Sequence, residues 1–170
     1  SKKITANSLA VEARAADGKP IATPSLPDLR LLDAVKVTGK LIVDVTNPLS
    51  FRDNIVVGAE VPANSGAEFI QSLAPGARVV KAFNTIYYTV MAVPETAGGS
   101  VSVLISGDDA GAKARVARLA SGIGFEPVDV GALSTARYTE AMALLLVSRL
   151  VSGENPFDFQ LHPWPVKPAP

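Results

Sequence analysis

Short β-branched apolar runs alternate with helix-patterned segments along most of the chain, and that alternation restricts it to layered α/β architectures. Lys40-Leu41-Ile42-Val43-Asp44-Val45 has the character of a buried parallel strand, and Asn47-Pro48 closes it with a turn. Ser65-Gly66-Ala67-Glu68 has the Ser-x-x-Glu form of a capping box. Phe69, Ile70 and Leu73 behind it give a short helix its apolar stripe. Pro75-Gly76 ends that helix, and residues 77–83 read as the next strand. Residues 100–106 read as another, after which Asp108 or Asp109 can cap a helix. In that helix Ala112, Val116, Leu119, Ala120 and Ile123 fall at helical spacing, with Gly122 and Gly124 near the stop. A strand over 125–130 and a long helix from Ser134 to Val151 follow, and residues 156–161 are expected to add a last alternating strand. The long helix is apolar on nearly every face around Met142 to Val147, which places it either centrally in the core or against another subunit.

The two ends are patterned differently. Residues 3–6 are compatible with a strand, 9–16 with a short helix, and Pro27 is a good first-turn residue for a helix reaching Val35. From His162 to Pro170 the proline content forbids helix and interior strand, leaving disorder or an extended arm. The expected organisation is one domain over 1–161 followed by a Pro-rich tail over 162–170. The expected fold is α/β, with a mainly parallel sheet and helices on both faces.

Composition narrows the function. At 170 residues the chain fits one domain with a real core. Sixteen basic residues balance sixteen acidic ones, so there is no electrostatic footprint for phosphate backbones or anionic lipid; nucleic acid and membrane are not expected partners. No apolar stretch is long enough for a membrane span. The absence of cysteine removes disulfides, thiolate zinc sites, iron–sulfur clusters and cysteine nucleophiles. The single histidine, His162, lies in the Pro-rich tail, so neither a His-ligated metal nor a Ser-His-Asp relay is expected. A cytoplasmic location is the default.

An open parallel sheet binds ligands at the carboxyl ends of its strands. The loops expected there are Asn7-Ser8, Thr23-Pro24, Thr46-Asn47-Pro48, Asn84-Thr85 and Gly107-Asp108. Each taken alone reads as turn or cap chemistry; only convergence at one sheet edge would make them a site. The dinucleotide fingerprint G-x-G-x-x-G is absent, as are a Walker loop and a G-x-S-x-G elbow. Gly122-Ile123-Gly124 follows a helix instead of preceding one, and the carboxylates of Asp108 and Asp109 at a helix start would repel a pyrophosphate. No acid, base or nucleophile stands out. Hydride transfer between two flat cofactor rings tolerates that poverty, because the redox chemistry belongs to the cofactors.

Four blocks in order, 40–49, 75–85, Gly107-Asp108-Asp109 with its helix, and 125–138, resemble the NADPH-dependent F420 reductases. The resemblance implies a Rossmann-like domain, here without the N-terminal glycine-rich unit and so N-terminally truncated. It implies NADP(H) as cofactor, with coenzyme F420 or a flavin as co-substrate. On that resemblance Asn7 and Ser8 would face the adenosine ribose, although Leu9 stands where the family carries a phosphate-gripping Arg. Thr23, Pro24, Thr46, Asn47 and Pro48 would flank the nicotinamide, and Asn84 and Thr85 would border the second ring. All of these are positional roles, with no catalytic residue nominated. The expected function is hydride transfer between NADP(H) and a flavin-like cofactor by a homodimer. The alternative is a non-catalytic dimerisation or scaffold remnant of the same fold.

Overall fold

The computed structural model describes residues 37–52, 55–58, 60–61, 63–92, 95–96, 99–153 and 159–161. The expected strand at 3–6, the helices at 9–16 and 27–35, the site candidates Asn7, Ser8, Thr23 and Pro24, and the tail 162–170 lie outside the described residues.

The main sheet runs β1 (Leu41–Asp44), β4 (Arg78–Lys81), β7 (Ser102–Gly107) and β8 (Glu126–Gly131), hydrogen-bonded in that order. Between β1 and β4 the chain makes a hairpin, β2 (Leu49–Arg52) with β3 (Ile55–Gly58), and then helix α1 (Gly66–Leu73). A short helix α2 (Tyr88–Ala92) and a small hairpin, β5 (Glu95–Thr96) with β6 (Gly99–Ser100), connect β4 to β7. Helix α3 (Ala110–Gly122) joins β7 to β8, and a 3-10 turn (Leu133–Thr135) leads into α4 (Ala136–Val151).

Strand alternation sorts the core into two layers. On one face Val80, Val103 and Ile105 pack against Ala112, Val116 and Ala120 of α3. On the other, Val79 and the half-buried Ile42 meet Ala67 and Ile70 of α1 and Ala136 of α4. Helices therefore cover both faces, and the fold is Rossmann-like, as the sequence pattern predicts.

The β1–β4 and β7–β8 pairs are parallel, but β4 and β7 are antiparallel, with Val80 opposite Gly107 and Lys81 opposite Ser106. The reversal follows from the connection. A parallel crossover is usually carried by a long helix lying across the sheet, and the connection between β4 and β7 holds a five-residue helix and a hairpin instead. Gly107-Asp108 consequently lies at the edge opposite to the 46–48 and 84–85 loops. Its expected place among the convergent loops is not where the chain puts it.

Of the last strand expected over 156–161, residues 156–158 lie outside the described residues; in 159–161 the Phe159 carbonyl accepts from the Ser102 N–H (2.8 Å), and the Leu161 N–H donates to Ser102 Oγ (3.0 Å). Helix α4 is not buried all round. It buries Ala136, Thr139, Glu140, Ala143 and Leu146, while Tyr138 (66%) and Leu145 (54%) stand exposed.

Candidate functional site

The carboxyl ends of the adjacent parallel strands β1 and β4 carry the loops Thr46-Asn47-Pro48 and Asn84-Thr85, so register alone brings them side by side. They are clasped together. Asn47 Nδ2 donates to the Asn84 carbonyl (2.8 Å), and Asn84 Nδ2 donates to Asn47 Oδ1 (2.9 Å) and to the Thr139 carbonyl of α4 (3.0 Å). These partners fix both amide orientations, since each nitrogen faces an acceptor. The Asn84 Oδ1 atom is buried with no hydrogen-bond partner, a condition that costs about 1–3 kcal/mol.

Immediately before Asn84, Phe83 has φ of +63°, in the left-handed region that residues other than glycine rarely occupy. Such strain costs on the order of 1–3 kcal/mol and persists only where the surroundings hold it. Here the Phe83 ring is buried edge-on against Phe125, with centroids 6.1 Å apart. Two costs thus fall on neighbouring residues at the carboxyl edge of a sheet strand. Thr85 is 2% exposed and Pro48 is buried, so both back the loops from within, while Thr46 is exposed. Beyond the loop, Tyr87 and Tyr88 pair at 4.6 Å, and the hydrogen bond with Tyr88 raises the Tyr87 phenol above its ordinary value.

Beneath the 46–48 loop lies a charged cluster that the site candidates did not include. Lys81 is wholly buried (0% exposed). Its ammonium contacts Asp44 Oδ2 (2.9 Å) and Glu140 Oε1 (2.8 Å), and donates to the Thr46 carbonyl. Asp44 Oδ1 accepts from both the Thr46 N–H (2.9 Å) and its hydroxyl (2.7 Å). Glu140 also accepts from the first N–H groups of α1, Gly66 (3.0 Å) and Ala67 (3.3 Å). A Cβ on Gly66 would come within 3.3 Å of that carboxylate, so glycine permits the close seat. Sequence signals for the cluster exist. Asp44 and Lys81 interrupt apolar strand runs, and Glu140 falls at i+4 from Ala136 and i−3 from Ala143, on the buried stripe of α4.

A cleft of about 500 Å³ opens at this end, lined by Pro48, Leu49, Asn64 and Ser65 together with Arg137, Glu140 and Leu144 of α4. Arg137 is tied to Glu68 (2.9 Å), whose own carboxylate takes the Ser65 hydroxyl (2.7 Å). A second recess, of about 600 Å³, lies at the opposite edge among Glu68, Arg78, Asp108 and Asp109. Its acids are engaged structurally: Asp109 caps α3 (2.7 Å) and pairs with Arg78 (3.2 Å), and Asp108 accepts from the Leu133 N–H (2.9 Å). Capping is the role expected for this pair, and it contributes no ligand chemistry. Among the described residues there is no group of three side chains able to hold a metal ion.

The edge suits one part of a dinucleotide and not another. Uncharged Asn and Thr groups and an unpaired buried acceptor fit an amide-bearing ring. The N-terminus of α1, a ready-made phosphate seat in other settings, is taken by the Glu140 carboxylate, and G-x-G-x-x-G is absent from the sequence.

No protein-family profile matches the chain. It is similar to a crystal structure from Arthrobacter sp. FB24 assigned as an F420-dependent NADP reductase, with 36% identity and a TM-score of 0.69 over 77% of this chain and 61% of that one. It is also similar to the hypothetical protein SMa0349 from Sinorhizobium meliloti, with 33% identity and a TM-score of 0.55 over 64% of this chain and 52% of that one. Among curated proteins, the metalloreductase STEAP3 of Rattus norvegicus is 39% identical over 67% of this chain, and the human metalloreductase STEAP2 is 34% identical over 72%. The chain spans only 22% of the length of each of these metalloreductases. The resemblance to F420-dependent NADP reductases carried by the four sequence blocks is borne out. Among the described residues no helix is long and apolar enough to cross a membrane.

Proposed function

We propose that this chain is an oxidoreductase of the NADP-binding type, passing hydride between NADP(H) and a flavin-like ring, either coenzyme F420 or a flavin. The observation that carries the reading is the Asn47–Asn84 clasp, an uncharged hydrogen-bonding shelf at the carboxyl ends of two parallel strands. The likeness to reductases named for NADP adds to it. The nicotinamide supplies the hydride, and the protein's part is to hold two rings in register.

Asn47, Thr46 and Pro48 border the nicotinamide side, together with Thr23 and Pro24. Because the Thr46 hydroxyl donates to Asp44, it is left as an acceptor toward a ligand. Asn84 borders the second ring with Thr85 backing its loop from within, and Asn7 and Ser8 border the adenosine ribose. No side chain is needed for proton transfer. A homodimer joined through the exposed face of α4 and a cytoplasmic setting, where pyridine nucleotides are available, complete the reading.

The test is a titration of NADPH fluorescence, followed by addition of F420 or flavin while NADPH absorbance is followed. Saturable binding and oxidation are expected, and Asn47→Ala should weaken binding about tenfold through loss of the clasp. No saturation at millimolar NADPH would leave a scaffold as the surviving reading.

A further inference from the structure

We infer that Lys81 is a positioning residue: from beneath the sheet edge it fixes the 46–48 loop that the proposed ring site uses. The inference rests on that functional reading for its purpose, although its geometry stands alone. An ammonium group has three N–H bonds, and all three are committed, to Asp44, to Glu140 and to the Thr46 carbonyl. None remains for a ligand or for moving a proton, so Lys81 acts through other groups.

Its partners decide what it positions. Asp44 holds the N–H and hydroxyl of Thr46 while Lys81 holds the carbonyl of the same residue, so this one loop residue is gripped at three polar groups. Through Glu140 the ammonium is also tied to the first turn of α1 and to the wall of the cleft beside Pro48. The sheet register makes the grip possible, since Asp44 and Lys81 are paired positions on adjacent strands, on the face covered by α1 and α4. A purely apolar cluster would fill the same space, but it would not define where the Thr46 backbone sits.

The experiment compares Lys81→Met and Glu140→Gln with Val116→Ala, a core substitution under the opposite face that costs stability without touching the loop. Amide hydrogen exchange is measured residue by residue in the ligand-free proteins, alongside thermal midpoints and NADPH affinity. Positioning predicts that both cluster variants speed exchange at Thr46 and Asn47 at least tenfold beyond the rise seen at 103–105, whereas Val116→Ala raises all sites in proportion to its loss of stability. NADPH affinity should fall about tenfold in the cluster variants and hold in Val116→Ala at temperatures where each is folded. Exchange at Thr46 and Asn47 that merely tracks global stability in all three proteins would overturn the inference. Where Lys81→Met does not fold, Glu140→Gln, which preserves shape and the Asp44 contact, carries the comparison. If the unsubstituted protein binds no NADPH, the functional reading fails, and the exchange pattern still decides the role of Lys81.

Discussion

Removing the Lys81 ammonium while its partners stay in place strands two carboxylates in the interior, both within 3 Å of the charge they lost. Breaking a buried ion pair from one side costs about 3–5 kcal/mol, so Lys81→Met should lower the urea midpoint by an amount that consumes much of a typical domain's stability. A loss under 1 kcal/mol would mean that Asp44 and Glu140 are solvated in a way their burial does not allow. Asp129 makes the opposite case. The hydrogen bond from Lys113 holds its carboxyl below the usual carboxylate range, aided by the Gly131 N–H and opposed by slight burial. A depressed folded pKa stabilises above the unfolded value and is lost as pH falls through the folded one. The Asp129 side chain is 59% exposed, so Asp129→Asn should cost only about 0.2–0.5 kcal/mol at neutral pH. That difference should vanish once both states are protonated, and it should shrink in high salt. Single residues were unevenly legible in the sequence. The loop amides Asn47 and Asn84 announce themselves as turn chemistry, whereas Asp44 and Lys81 become a pair only once a register between strands 37 positions apart is known.

At the level of elements, local signals were dependable and long-range direction was not. The capping box before α1 forms as its spacing requires, Ser65 Oγ accepting from the Glu68 N–H at 3.1 Å, because every atom involved lies within four residues. Ser65→Ala should therefore cost about 1 kcal/mol, read from chemical denaturation. A cost near zero would mean that Glu140, on the neighbouring N–H groups, holds the helix start without help. Gly66→Ala, by contrast, would put a Cβ 3.3 Å from Glu140 Oε1, so the carboxylate must yield by a few tenths of an ångström while Pro48 stays in ordinary contact. The reversal of β7 had no comparable signal. An apolar strand such as Ser102–Gly107, buried at every position, reads the same in either direction. What decides its direction is the absence of a crossover helix after β4, and a five-residue helix with a two-rung hairpin is hard to separate by pattern from irregular loop.

The whole molecule presents a surface that neither its strands nor its site accounts for. Helix α4 buries one stripe and turns Tyr138 and Leu145 outward, with Val151 also exposed at its end. The composition of this helix suggests burial on every side. Within the described residues, the chain's own fold provides burial on only one. Exposed large apolar side chains aligned along a helix are costly for a monomer and ordinary in a dimer interface, where the same patch meets itself across a twofold axis. Light scattering should therefore give a mass near twice the 17.7 kDa of one chain. Leu145→Glu, which places a charge at the middle of that patch, should return the mass of a single chain while leaving far-UV circular dichroism unchanged. Because Thr139 and Glu140 on the inner side of the same helix hold Asn84 and Lys81, the monomeric variant also tests whether assembly reaches the ring site. If α4 is anchored by its inner contacts alone, NADPH affinity should be equal in monomer and dimer. A monomer at working concentration in the unsubstituted protein would instead assign Tyr138 and Leu145 to plain solvent exposure.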